Sequence, residues 1–210
     1  MLGTKILEER KSKFNGDIKV VRSLGFGTYI QAEGLTQSGG IVETIWKSTI
    51  KKVKSKKLIV KNCLILGLGG GTVAKLIKKN WPGAKIIGID IDPLMVELGK
   101  KYLGLGQIGL EIKIGDALEL GKKLKVKSEK FDLVVVDLYN GDEFPEKFVN
   151  EKFLNKVKSS LTDRGVVVFN RTYYGDKRPE TVKFGNKLQK IFSKVEWFYP
   201  EANLMFICSK

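Results

Sequence analysis

A chain of 210 residues, 42% of them hydrophobic, can bury one full core and a small extra lobe but hardly two independent domains. It contains no histidine, which excludes histidine triads, histidine general bases and most zinc sites and leaves carboxylates, tyrosines, lysines and backbone groups for chemistry. The net charge of +15 rests on 33 lysines and five arginines scattered over helix faces and loops instead of being concentrated with aromatics, which argues against nucleic-acid binding as the main function.

Residues 1–13 are charged and lack an apolar leader core, so the expectation is a cytoplasmic protein. Residues 17–22 and 28–33 read as short strands joined through Gly25 and Gly27, with Gly34, Gly39 and Gly40 as punctuation. Ile41, Val42, Ile45, Trp46, Thr49, Ile50 and Val53 then recur at helical spacing. The densest basic run, Lys51 to Lys57, closes that helix, where cations suit the dipole. From Leu58 onward strands and helices alternate. Strands are predicted at 62–66, 85–90, 111–115, 131–137, 165–170, 195–199 and 203–208, and helices near 72–79, 93–103, 147–161 and 179–192. Near-continuous apolar strands such as 133–136 belong to a parallel sheet covered on both faces, and the alternation predicts a doubly wound α/β sheet. The last two strands follow each other without a helix, through residues 200–203, which predicts an antiparallel hairpin at the sheet edge. Cys63 and Cys208 lie in apolar strand-like runs and read as buried thiols of a reducing compartment; no run is long enough to span a membrane. The organisation expected is a small strand lobe with a connecting helix over 1–57 and a nucleoside-binding domain over 58–210.

The chemistry concentrates after residue 63. An apolar strand runs into Gly67, Gly69, Gly70 and Gly71, the glycines open a helix, and the next strand ends on Asp90. Glycines let backbone approach a ligand closely, a helix start presents unpaired N–H groups, and an acid about 20 residues on accepts hydrogen bonds from ribose hydroxyls. Asp92, before Pro93, reads equally well as a helix N-cap, and Asp116 as the cap of a short helix. Asp137 closes a central apolar strand, where open α/β sheets place their ligands. In so basic a chain, acids at 137, 142, 143 and 146 form a local negative cluster suited to a cationic amine. Tyr139, Tyr173 and Tyr174 are candidates to line that pocket against an alkyl or cationic chain.

These residues resemble the spermidine synthase family, the polyamine aminopropyltransferases, whose core is shared with class I AdoMet-dependent methyltransferases. The resemblance runs from about Gly34 to the C-terminus. The family's Gly-Gly-Gly-Asp-Gly-Gly loop falls on Gly67 to Thr72 and its ribose-binding acid on Asp90. Gly115-Asp116-Ala117 matches the element whose carboxylate meets the adenine amino group. Asp137 matches the first Asp of an Asp-x-x-Asp motif and the general base of aminopropyl transfer. Gly34 and Gln37 fall on a Gly and a Gln of the family's N-terminal strand lobe. The resemblance implies a Rossmann-like fold with a terminal antiparallel hairpin, AdoMet or decarboxylated AdoMet as donor without a metal, and a small-molecule amine acceptor placed among Gln37, Tyr139, Asn140 and Asp142; a homodimer is compatible with it.

Two departures divide the donor readings. Gly70 stands where the family's loop Asp holds the free amine of decarboxylated AdoMet, and Asn140 replaces the second Asp of the motif. Their neutrality favours ordinary AdoMet and methyl transfer, whereas the acidic loop favours aminopropyl transfer. A catalytically silent binding protein on the same fold would also explain the missing acids. A dinucleotide-dependent oxidoreductase keeps the glycine loop and acid but not the terminal hairpin.

Overall fold

The computed structural model describes residues 3–119 and 130–210. The chain opens with an antiparallel meander, β1 (Thr4–Ser12), β2 (Gly16–Ser23), β3 (Gly27–Ala32) and β4 (Leu35–Gly39), and passes into helix α1 (Gly40–Lys54). It continues through β5 (Asn62–Leu66), α2 (Thr72–Asn80), β6 (Lys85–Asp90), α3 (Pro93–Tyr102) and β7 (Glu111–Ile114). The second half runs β8 (Phe131–Val136), α4 (Glu151–Ser160), β9 (Leu161–Thr172), α5 (Lys177–Ile191), β10 (Lys194–Phe198) and β11 (Asn203–Ser209). The seven later strands form one sheet in the order β10-β11-β9-β8-β5-β6-β7. Strands β5 to β9 are mutually parallel where they pair, and β11 lies antiparallel between β9 and β10. The terminal hairpin is therefore present at the edge, with its second strand inserted inward.

Strand alternation divides the core into two layers. Leu64, Leu66, Val134, Val136 and Phe169 face α4 and α5, while Cys63, Ile65, Leu133, Val135 and Val168 face α1 and α2. The residues of β5 from Cys63 to Leu66 are fully buried, and each such aliphatic side chain contributes about 1.5–3 kcal/mol, so the strand that carries the glycine loop is rigidly seated. Cys63 and Cys208 are free and buried on opposite layers, and burial pushes both thiols above their ordinary range. A third, smaller cluster joins Ile18, Val20, Ile30 and Ala32 of the meander to Met95 and Leu98 of α3. The small sheet is thereby held over the carboxyl ends of β5 and β6, and strand order reverses on either side of β5, the position where such sheets bind ligands.

Four elements differ from the sequence expectation. Strand β1 was not predicted because it is mostly exposed on both faces and shows no apolar alternation; pairing with β2 holds it. Strand β4 was read as punctuation because what it buries is Ser38 and Gly39. Helix α4 starts at Glu151 instead of 147, since residues 146–148 make a 3-10 turn and the Asn150 side chain caps the helix by accepting from Phe153 N at 2.9 Å. Strand β9 runs back to Leu161, ahead of the expected start at 165.

Candidate active site

A cavity of about 640 Å³ opens where the two lobes meet, within the range that holds a small-molecule ligand. Its floor is the turn after β5. Gly67 has φ +85° because the chain passes directly over β8: a Cβ there would lie 1.9 Å from the Asp137 carbonyl oxygen. The Gly67 and Leu68 amides donate to Ile89 O, and Gly69 N donates to Asp90 Oδ2 at 2.6 Å. Strand β4 clamps the turn from above. Gly70 N donates to Ser38 Oγ at 2.7 Å, and Gly39 N donates to Thr72 Oγ1 at 2.8 Å.

Gly67, Gly69, Asp90, Asp116 and Ala117 line the cavity, and Gly70 and Gly71 do not. Gly71 is the left-handed N-cap of α2, packed on Leu105. Gly70 is buried, and a Cβ on it would point at Leu103, Ser38 and Ile30, at 2.8–3.0 Å. In this structure the direction in which a side chain at position 70 would extend is filled by packed side chains.

Asp90 is 8% exposed, and burial lifts its carboxyl to about 6 although the amides of Asp92 and Gly69 donate to it. Asp92 is the N-cap: Oδ1 accepts from Leu94 N at 2.9 Å, while Oδ2 accepts from Ser12 Oγ and Asn15 Nδ2, each at 2.6 Å. Its carboxylate joins the small lobe to α3 and is not part of the cavity wall. Asp116 caps the short turn after β7 and also lines the cavity. Oδ1 accepts from Leu118 N at 2.9 Å as a local cap, and Oδ2 meets Lys147 Nζ at 2.6 Å on the cavity side.

Asp137 lies at the carboxyl end of β8 with both oxygens engaged. Trp46 Nε1 donates to Oδ2 at 3.0 Å, and Asn170 Nδ2 donates to Oδ1 at 2.8 Å. Burial lifts its carboxyl from 3.8 to about 6; these two donors pull it down and the nearby Asp90 charge pushes it up. Trp46, Asn170 and Asn203 all line the cavity and were not singled out as functional in the sequence, because they come from α1, β9 and β11.

The loop after Asp137 is only partly as expected. Asn140 and Glu143 exchange backbone hydrogen bonds at 2.9 and 3.1 Å, and Gln37 Nε2 donates to Gly141 O at 3.2 Å, tying the small lobe to the loop. Asp137 and Asp142 line the cavity, whereas Glu143 and Glu146 do not, and Asp142 is paired with Lys177 Nζ at 3.3 Å. The acidic cluster is therefore narrower and partly neutralised from α5. The Tyr139 ring lines the cavity, but its hydroxyl is taken by β9, donating to Asn170 O at 3.2 Å and accepting from Thr172 N at 2.7 Å. Tyr174 lines the cavity; Tyr173 instead packs edge-on to Tyr199. Among the described residues no three Cys, Asp or Glu side chains converge as a metal site requires.

The sequence profile described as the spermine/spermidine synthase domain matches residues 43–201. The polyamine aminopropyltransferase of Vibrio vulnificus is 31% identical over 108 residues, 51% of this chain and 36% of that protein. The eEF1A lysine and N-terminal methyltransferase of Bos taurus is 32% identical over 116 residues, 51% of this chain and 17% of that protein. The matched region is thus a minor part of either relative's length. A solved spermidine synthase in complex with the transition-state analogue AdoDATO superposes with a TM-score of 0.78 at 18% identity, covering 98% of this chain and 73% of that one, a likeness that establishes the fold.

Proposed function

This chain belongs to the spermine/spermidine synthase domain family, and from that premise we propose that it transfers an aminopropyl group from decarboxylated AdoMet to a small-molecule amine. The observation that carries the reading is Asp137: a carboxylate at the end of a central strand, held by two donors, in the cavity that Asp90 and Asp116 also line. The nucleoside lies across the carboxyl ends of β5 and β6. Asp90 accepts from the ribose hydroxyls, Asp116 accepts from the adenine amino group, and Ala117 gives the base an apolar contact.

The sulfonium makes its neighbouring carbon electrophilic, so the chain's task is alignment and proton removal. The amine nitrogen attacks in line, the N–C bond forms as the C–S bond breaks, the electron pair stays on sulfur to give methylthioadenosine, and Asp137 takes the amine's proton. A carboxyl near 6 is ionised at neutral pH and is a better base than an ordinary aspartate. Gln37, Tyr139, Asn140 and Asp142 shape the acceptor end.

Methyl transfer from AdoMet is the second reading, favoured by one observation: Asn140, which lines the cavity where the resemblance implies a second acid, is neutral and offers no charge to the free amine of decarboxylated AdoMet. Both readings require the same nucleoside contacts. Asp90→Ala is therefore expected to weaken binding of AdoMet-type ligands by about 1–3 kcal/mol in calorimetry while the fold persists. Unchanged affinity in the folded variant removes Asp90 from the ribose role.

A further inference from the structure

Beyond Asp137 and its direct partners, the cavity wall holds a chain of side-chain amides whose polarity is ordered. Asn203 Nδ2 donates to Asn170 Oδ1 at 2.8 Å, and Asn170 Nδ2 donates to Asp137 Oδ1 at 2.8 Å. Asn170 and Asn203 belong to the paired strands β9 and β11. Asn203 lies opposite Thr172, and Asn170 opposite Met205, so the two asparagines are diagonal neighbours on one face. The backbone of Asn203 is itself seated, its N–H donating to Pro200 O at 3.1 Å.

We infer that Asn203 is a positioning residue that holds Asp137 in its proton-accepting form by fixing which end of the Asn170 amide faces it. The inference rests on the reading above, in which Asp137 takes the acceptor's proton.

A side-chain amide has a donating end and an accepting end, and a carboxylate only accepts. While Asn203 presents its NH₂ end, Asn170 has one satisfied orientation, with oxygen toward Asn203 and NH₂ toward Asp137. In the reverse orientation two NH₂ groups would oppose each other, and the Asn170 oxygen would face Asp137, which could meet it only by carrying a proton. Trp46 completes the arrangement from α1, because an indole N–H donates and never accepts. Both oxygens of Asp137 are thus met by donors that favour the ionised group.

The charges around Asp137 leave this work to the amides. Asp90 on β6 opposes ionisation. Arg171, next to Asn170 on β9, points to the other layer, its guanidinium 4.4 Å from the Phe144 ring centre and 4.9 Å from that of Phe184. Tyr139 has given its hydroxyl to the β9 backbone. Trp46 and Asn170 are neutral. The carboxyl at about 6 is the resultant of burial and Asp90 pushing up against these donors pulling down.

The test reads Asp137 directly, by ¹³C NMR titration of its carboxyl in the unliganded protein, with the signal identified by its loss in Asp137→Asn. Asn203→Leu keeps the outline of the side chain and removes the donor; Asn203→Asp replaces the donor by acceptors. In Asn203→Leu the proton affinity of Asp137 is expected to rise about tenfold, and more in Asn203→Asp, with the acid limb of kcat/KM moving to higher pH by the same factor. An unmoved Asp137 titration in either variant, folded by circular dichroism, overturns the inference, as does a variant that loses only thermal stability. Should Asn203→Leu not fold, Asn203→Ala removes the same donor without adding a charge and carries the same readout. An Asp137 titration that moves in a protein turning over no amine supports the amide relay and overturns only the transfer reading.

Discussion

Asp137→Asn slows turnover about 10²- to 10⁴-fold while donor affinity changes little, because the variant loses the proton acceptor and keeps the shape of the wall. An amide offers only one oxygen to the two donors Trp46 and Asn170, so one of them loses its acceptor, while Asp90 and Asp116, which meet the nucleoside in this reading, are untouched. The same substitution changes how stability depends on pH. Burial lifts Asp137 from 3.8 to about 6, so between those values the folded protein binds a proton that the unfolded chain does not. The stabilisation is complete below the lower value and is lost as pH rises through the upper one. An uncharged amide escapes that loss, so the stability of Asp137→Asn relative to wild type is expected to improve by about 1–3 kcal/mol between pH 4 and pH 7, on top of a pH-independent cost for the donor left without an oxygen. Denaturant unfolding at the two pH values, beside an assay for methylthioadenosine, checks both halves. Full activity in the folded variant would move the base elsewhere, to Asp142 first. Wild-type kcat/KM is expected to fall as pH drops below about 6, when Asp137 takes up a proton.

Gly67→Ala has the other large effect, on the fold of the donor site. The new Cβ would lie 1.9 Å from the Asp137 carbonyl oxygen and 2.7 Å from its carbonyl carbon, and at φ +85° an L side chain is strained before any contact. Backbone on both sides leaves nothing flexible to yield, and the Ile89 carbonyl that accepts from Gly67 and Leu68 ties the turn to β6. A loss of about 3 kcal/mol or more in stability and about 100-fold or more in affinity for AdoMet-type ligands is expected. Gly83→Ala is the control: it meets nothing within 4 Å and does not occupy positive φ, so its effect should stay within about 0.5 kcal/mol. Equal stability and binding for both variants would show that the turn tolerates a side chain and is not set by close approach.

What could be read in the sequence was local. The run from β5 through the glycines, α2 and β6 to Asp90 lies within 29 consecutive residues, counting 62 to 90, and its apolar strands are buried on both faces, so pattern and structure coincide. The terminal hairpin was legible for the same reason, since two strands without room for a helix can only turn back. Polar burial hid the rest. Strand β4 packs Ser38 and Gly39 where an ordinary strand would pack apolar side chains, and those two groups meet Gly70 and Thr72 more than 30 positions away. Trp46 matched a helical core stripe and is fully buried, yet its indole N–H reaches Asp137 across 91 residues. The acidic loop was legible as composition, but Lys177, which pairs with Asp142, enters from the first turn of α5. At Gly70 the motif gave the position, while the direction a side chain would take, toward Leu103 and Ile30, is set by packing between the two sheets and α3.

The central claim, aminopropyl transfer, is tested most directly by incubating the purified protein with decarboxylated AdoMet or AdoMet, each with putrescine, spermidine and other small amines, and identifying products by mass spectrometry. The expected result is methylthioadenosine together with an amine enlarged by one aminopropyl group, formed from decarboxylated AdoMet. S-adenosylhomocysteine and a methylated amine formed from AdoMet alone, or no product from either donor, would contradict it.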